Sequence, residues 1–178
     1  IYPPDELVIK ADGLARGKGV FLPRGESDAV GILRSLLLRD TLGHAGNRVI
    51  IEQRLSGSEV SIMAFTDGES IVSMPAVCDY KRLHDHGQGP NTGGMGAFAP
   101  MSLLMPDMAD RVNTEIILPI LHGLAEDGIP FRGIIYADVI LTDGGPYVLA
   151  INTRFDDPGA QVVLPLLETD LMLSLIHI

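Results

Sequence analysis

Gly89-Pro90-Asn91-Thr92-Gly93-Gly94-Met95-Gly96, with Cys78-Asp79-Tyr80-Lys81-Arg82 shortly before it, is the stretch on which the reading of this chain turns. Charged side chains run into a segment with four glycines in eight positions. Glycine loses more conformational freedom on ordering than any other residue, so an ordered loop of this composition needs something to offset that entropy. A bound anion is one answer and a structural Ω-loop is the other, and the loop by itself leaves both open. The surrounding residues 77–100 are Gly-rich and lack periodicity, and so long a loop inside a compact domain is usually functional.

Working outward, Leu7-Val8-Ile9-Lys10 reads as a short strand and Gly19-Val20-Phe21-Leu22 as its returning partner. Ser27 is the expected N-cap of a helix to about Arg39, with Val30, Leu33 and Leu37 at helical spacing. Arg48-Val49-Ile50-Ile51-Glu52 is a strand that Gly57-Ser58 breaks; Glu59 to Phe65 and Ile71 to Pro75 form a hairpin around Thr66-Asp67-Gly68. On the other side of the loop, Asp107 to Leu124 has helical periodicity with an interruption at Pro119. Gly133 to Leu141 and Tyr147 to Asn152 are apolar strands joined by Thr142-Asp143-Gly144-Gly145-Pro146, and Val162 to Leu167 reads as helical. This order predicts an α+β fold with a mainly antiparallel sheet.

Three more segments carry chemistry. Lys10-Ala11-Asp12-Gly13-Leu14-Ala15-Arg16-Gly17-Lys18-Gly19 places a lysine at a strand end and a second lysine in a Gly loop. Glycines let backbone N–H groups approach phosphate oxygens, and ammonium groups add point charge. The GxxxxGK[ST] pattern is absent, and a bare Gly/Lys loop reads more readily as a solvated hairpin. Glu52-Gln53-Arg54-Leu55 followed by Glu59 offers backbone groups to an adenine edge and a carboxylate to a ribose diol; taken alone, an exposed acidic strand end is the better reading. Tyr147 to Pro158 delivers Asn152, whose amide oxygen suits Mg²⁺, and Arg154, whose guanidinium suits a carboxylate or phosphate. Asp138, on the preceding strand, is placed to face the same site.

The bulk properties exclude several classes. Hydrophobic residues make up 46% and charged residues 20%, a composition that supports a packed core rather than disorder. A formal net charge of -10 disfavours nucleic acid and anionic membrane as partners. Cys78 is the only cysteine, which rules out an internal disulfide and a Cys-rich zinc site and fits a cytoplasmic location. No apolar run approaches the length of a membrane span, and no signal peptide opens the chain. The sequence starts at Ile1-Tyr2-Pro3-Pro4 and both ends read as cut; Leu173-Ser174-Leu175-Ile176-His177-Ile178 reads as a translated sequencing-library adapter, the alternative being an apolar helix end.

Taken in order from about Val8 to about Leu171, these segments closely resemble phosphoribosylamine–glycine ligase, an ATP-grasp enzyme of purine biosynthesis. The most specific part is Asp79, Lys81 and Arg82 with the Gly89 to Gly96 loop; Lys10 to Ala15 joined to Gly17-Lys18-Gly19 is nearly as specific. The resemblance implies an ATP-grasp fold, with a small β-rich lobe over 1–55, a larger mainly antiparallel lobe over 56–172 and the adapter tail over 173–178. It also implies that the family's amino- and carboxy-terminal domains are missing. The implied reaction joins glycine to 5-phosphoribosylamine with ATP and Mg²⁺ (or Mn²⁺) through glycyl phosphate, giving glycinamide ribonucleotide. Lys10, Asp12, Gly13, Leu14, Ala15, Gly17, Lys18 and Gly19 would hold the triphosphate; Glu52, Gln53 and Leu55 would frame adenine; Glu59 would bind ribose. Asp79, Lys81, Asn91, Thr92, Gly93, Gly94, Met95, Gly96 and Arg154 would line the substrate side, with Lys81 and Arg154 as the catalytic cations. Asn152 and Asp138 would hold the metal.

Three departures stand out. Glu-Phe-Asn of the family is Ala150-Ile151-Asn152 here, which removes the usual carboxylate ligand, and Asp138 stands where the family usually has Gly. Arg-Phe-Gly-Asp-Pro-Glu becomes Arg154-Phe155-Asp156-Asp157-Pro158-Gly159, and Gln-Asp-His-Lys becomes Cys78-Asp79-Tyr80-Lys81. Two other functions compete: another ATP-grasp ligase, against which the Gly89 to Gly96 loop argues, and a nucleotide-binding module without catalysis, which Ala150 suggests. Asp138 and Asn152 are expected to oppose each other on paired strands, close enough to share one ion.

Overall fold

Strand β1 (Leu7–Ala11) sits at the centre of a three-stranded antiparallel sheet, between β2 (Val20–Phe21) and β3 (Val49–Gln53). Ile9 opposes Phe21 on one side and Ile51 on the other, and its buried side chain meets Ala29 and Leu36 of helix α1 (Glu26–Leu37). A computed structural model supplies these coordinates; it describes residues 2–15, 18–101 and 106–176. The chain forms two compact units, Ile1–Ser56 and Gly57–Ile178, and the β1 sheet with α1 makes up the first. Helix α1 corrects two expectations. It begins at Glu26 with Gly25 in the cap position, so Ser27 lies inside it. Asp28 in the first turn reaches back to accept the Arg24 backbone N–H at 3.1 Å, a bond to the residue before the cap, and no side chain caps the helix's own first N–H groups. The buried stripe is Ala29 and Leu36, while Val30 and Leu37 are exposed.

The second unit is built on a four-stranded antiparallel sheet ordered β11-β10-β4-β5, with β4 (Ser58–Thr66), β5 (Ile71–Ser73), β10 (Gly133–Thr142) and β11 (Gly145–Asn152). Strand β10 is flanked on both edges and nearly continuously buried, which explains its run Ile134-Ile135-Tyr136-Ala137-Asp138-Val139-Ile140. Alternation sorts its side chains onto two faces. Ile135, Ala137 and Val139 join Val60, Ile62 and Ala64 beneath Val112, Ile116, Ile117 and Leu121. Ile134 and Tyr136 join Met63, Met74, Val77 and Val163 on the other face.

The helical face is covered by α2 (Pro106–Val112), a π-turn over Asn113–Ile117 and α3 (Leu118–Glu126). Pro119 lacks the N–H that would continue the α ladder, and the π-turn just before it absorbs the register change, so the helix continues where an interruption was expected. Residues 77–100 form two small ladders rather than an irregular loop: β6 (Cys78–Asp79) pairs with β9 (Ala97–Phe98), and β7 (Arg82–His84) with β8 (Gln88–Asn91). Strands this short leave no periodic signal. Helices α4 (Gly159–Val163) and α5 (Leu171–Ile176) follow β11. Among the described residues no helix is long and apolar enough to cross a membrane.

Candidate functional site

In the first unit the expected phosphate loop is anchored at both ends. The Asp12 N–H donates to Arg48 O at 3.0 Å and the Gly13 N–H to Ala45 O at 3.1 Å. Gly13 is pressed so close that an added Cβ would stand 2.5 Å from the Ala45 Cα. At the far end the Ala11 N–H bonds Gly19 O at 2.8 Å, and the Lys18 N–H bonds Ala15 O at 3.0 Å. Lys18 and Leu14 are left exposed; Gly17, with Arg16, lies outside the described residues. Lys10 extends from β1 and pairs with Glu52 of β3 at 2.6 Å. The Asp12 carboxylate is held by Arg48, which neutralises a charge that would otherwise oppose a phosphate. Gln53 ends β3 exposed, and Leu55 is half-buried just beyond it.

In the second unit the Gly-rich loop folds back on the charged segment before it. The Tyr80 N–H donates to Gly96 O at 2.9 Å, the Met95 N–H to Tyr80 O at 2.7 Å, and the Thr92 N–H to Lys81 O at 2.7 Å. The Thr92 hydroxyl donates to the same Lys81 carbonyl at 2.9 Å and accepts the Gly94 N–H at 3.1 Å. Gly94 has φ +130°, and an added Cβ would stand 2.4 Å from Pro158 Cδ and 3.1 Å from Asp79 Oδ1. Asp79, the Asn91 to Gly96 loop and the Pro158 segment therefore converge, while Asn91, Gly93 and Met95 remain exposed.

Behind this loop lies the face of the sheet that carries Tyr136. Strand pairing puts Glu59, Ser61 and Met63 of β4, Tyr136 and Asp138 of β10, and Ala150 and Asn152 of β11 on that one face. The Lys81 ammonium reaches Asp138 Oδ2 and forms an ion pair with it. Ser61 and Tyr136 share a hydrogen bond of 3.1 Å between their hydroxyls. Burial pushes the Asp79 carboxyl up to about 6; Asp156, Asp138 and Glu59 push the same way and Lys81 opposes them. Burial alone would lower Lys81, yet Asp138 outweighs it and raises the ammonium above its ordinary value. Burial likewise raises Tyr136 and Asp156.

The hairpin register corrects one expectation. Asp138 opposes Ala150, and Asn152 opposes Tyr136, because the turn closes on Thr142 and Gly145 and a bulge follows Asp138. Asp138 and Asn152 share a face as diagonal neighbours, about 7–8 Å apart rather than directly opposed. Arg154 is exposed beyond the strand, its guanidinium donating to Phe155 O at 2.8 Å. Asp156 is buried: its N–H meets Met63 Sδ at 3.3 Å, and its Oδ2 accepts the Gly159 N–H at 3.2 Å.

Among the described residues no three His, Cys, Asp or Glu side chains converge as a metal set. A donor for a cation nevertheless exists. Asp138 Oδ1 is buried without a hydrogen-bond partner, as is Asp79 Oδ1, and an orphaned carboxylate oxygen on the same sheet face as the Asn152 amide suits Mg²⁺.

Sequence reasoning missed Arg48, Ser61, Tyr136 and Asp156. Arg48 lies 36 residues from Asp12 and Ser61 lies 75 from Tyr136, so no local pattern pairs them. Asp156 sits in an Asp-Asp-Pro run whose pattern does not distinguish the buried carboxylate from its exposed neighbour Asp157.

The sequence profile of the family described as phosphoribosylglycinamide synthetase, ATP-grasp (A) domain, matches residues 2–160. A phosphoribosylamine–glycine ligase of Rhodopirellula baltica is 44% identical over 95% of this chain and 39% of its own length. A bifunctional purine biosynthetic protein of Schizosaccharomyces pombe is 46% identical over 93% of this chain and 21% of its own. The crystal structure of phosphoribosylamine–glycine ligase from Thermotoga maritima superposes with a TM-score of 0.82 at 39% identity, covering 93% of this chain and 41% of that one. The chain thus spans about two fifths of the single-function ligases it matches.

Proposed function

Because this chain belongs to the phosphoribosylglycinamide synthetase ATP-grasp (A) domain family and has the ATP-grasp fold, we propose that it is the nucleotide-handling core of an ATP-dependent ligase that joins glycine to 5-phosphoribosylamine. The observation that carries the reading is the seat of the Asn91 to Gly96 loop, bonded through its backbone to Tyr80 and Lys81 beside Asp79 and Pro158. A Gly-rich loop fixed in that way presents backbone N–H groups next to a cation, which is what a substrate phosphate or carboxylate needs.

Lys10, Lys18 and the backbone from Asp12 to Gly19 hold the triphosphate; Glu52, Gln53 and Leu55 frame adenine; Glu59 receives the ribose hydroxyls. Lys81, Arg154 and the Asn91 to Gly96 loop hold glycine and phosphoribosylamine, and Asp138 with Asn152 holds the metal. Mg²⁺ or Mn²⁺, held by Asp138 and Asn152, would offset the charge of the transferred phosphoryl group. A glycine carboxylate oxygen attacks the γ-phosphorus, ADP leaves, and glycyl phosphate results. The phosphoribosylamine nitrogen then attacks the acyl carbon, phosphate leaves, and the nitrogen gives up a proton. No protein nucleophile is required; alignment and charge neutralisation by Lys81 and Arg154 carry the chemistry.

Isothermal calorimetry with ATP and Mg²⁺ tests the nucleotide half. Saturable binding that Lys10→Met weakens supports it, and no binding with or without metal overturns it. The 178-residue chain by itself is expected to form no glycinamide ribonucleotide from ATP, glycine and 5-phosphoribosylamine, since it spans about two fifths of the ligases. A second reading, a nucleotide-binding module without ligase chemistry, rests on Ala150. Product formation by the chain completed with the flanking parts of a relative separates the two.

A further inference from the structure

Lys81 and Asp138 lie 57 residues apart in sequence and meet on the Tyr136 face of the second unit. The pair is largely withdrawn from water, with side-chain exposures of 23% and 12%. Asp79, Asp156 and Glu59 add negative potential around it. One ammonium facing so many carboxylates leaves Asp79 Oδ1 and Asp138 Oδ1 buried with no donor. Such oxygens are costly to bury, and a second cation would relieve the cost. The second cation cannot simply add, because a metal on Asp138 would stand beside the Lys81 ammonium and the two positive charges repel. Lysine is suited to leaving, since its charge sits on a flexible four-carbon stem. Ala150, directly across from Asp138, puts only a methyl group in the way.

We propose that Lys81 and a divalent cation exchange on Asp138: without metal the ammonium holds the carboxylate, and a metal arriving at Asp138 and Asn152 releases Lys81 to hold an anionic group of the substrate. This rests on the reading of Asp138 as a metal ligand given above. It makes the metal and an anionic substrate mutually reinforcing ligands, because each binds the state in which Lys81 has left Asp138. It also makes Lys81 a selective anion holder, available only after the metal has bound.

The lysines of the chain are Lys10, Lys18 and Lys81, so reductive ¹³C-methylation, which preserves the charge, gives a short list of assignable NMR signals. Lys81→Arg identifies the Lys81 signal by its loss. Titration with Mg²⁺ alone is expected to shift that signal saturably in the unaltered chain. In Asp138→Asn the signal should start displaced and ignore Mg²⁺. Lys81→Met should bind Mg²⁺ about tenfold more tightly, because the competing charge-assisted bond is gone. Arg82→Gln removes the same charge one residue away without touching Asp138, and should change affinity less than about threefold. A Lys81 signal that stays fixed as Mg²⁺ is added overturns the exchange, as does equal tightening in Lys81→Met and Arg82→Gln. If Asp138→Asn does not fold, the titration of the unaltered chain and the Lys81→Met comparison still decide. Mg²⁺-dependent ATP binding with a fixed Lys81 signal sinks the exchange alone, whereas loss of both sinks the nucleotide reading with it.

Discussion

Asp138 stands directly across the β10–β11 pair from Ala150, and Asn152 stands across from Tyr136. Within the β10–β11 pair this face therefore carries one carboxylate, Asp138, with a small neighbour. Ala150→Glu sets a second carboxylate opposite the first. Mg²⁺-dependent ATP affinity, read by calorimetry, should rise about tenfold, since Mg²⁺ commonly takes one or two carboxylates. Without metal the same variant should lose roughly 0.2–1 kcal/mol of stability, because like charges oppose directly. Asp138→Ala should weaken Mg²⁺–ATP binding.

Gly94 is the position in the Gly-rich loop where a side chain is least tolerable. Its φ of +130° disfavours any L residue, and a Cβ would stand 2.4 Å from Pro158 Cδ. Gly94→Ala should lower unfolding free energy in urea by about 1–3 kcal/mol. Gly93→Ala, where nothing lies within 4 Å, should be nearly neutral by the same measurement.

Asp79 gives a pH signature with a definite sign. Its folded carboxyl titrates near 6, against 3.8 when unperturbed, so the folded state holds this proton more tightly than the unfolded chain does. Stability should fall as pH rises from about 4 to about 6 and stay level above that. Asp79→Asn should remove this slope, so the difference in thermal midpoint between the two proteins should change across that window and be constant at higher pH. A constant difference from pH 4 to 7 would remove the case for a raised Asp79.

The terminal helix α5 buries none of its residues, and Leu173 and Ile176 are 59% and 68% exposed. We propose that residues 173–176 contribute nothing to the fold; His177 and Ile178 lie outside the described residues. A chain ended after Met172 should unfold within about 0.5 kcal/mol of the intact one in urea. A larger loss would give the tail a structural role.

Local pattern carried the strands around Lys10 and the β10–β11 hairpin, because β-branched runs and a Gly turn announce them without reference to distant residues. The pattern places helix α1 but not its cap: Ser27 is the residue type that caps best, yet the helix starts one residue earlier, behind Gly25, with no side-chain cap. What stayed hidden was pairing at long range. Two-residue strands such as β6 and β9 exist only because Cys78 meets Phe98, and nothing in either segment states that. The same holds for the candidate site: Lys81 and Asp138 were each legible as charged residues worth noticing, but their union was not. Register was the other limit. Counting back from the turn gave Asp138 the right face, and a small error of register gave it Asn152 instead of Ala150 as its partner.

The contact between Asp156 and Gly159 makes two positions one unit. An added Cβ at 159 would stand 2.4 Å from Asp156 Oδ2, and Asp156 is buried with that oxygen bonded to the Gly159 N–H. A side chain at 159 meets the Asp156 carboxylate, and a glycine at 156 strips the turn of its acceptor. What position 159 tolerates is thus set by the residue three places earlier, and a substitution at either has a cost that depends on the other.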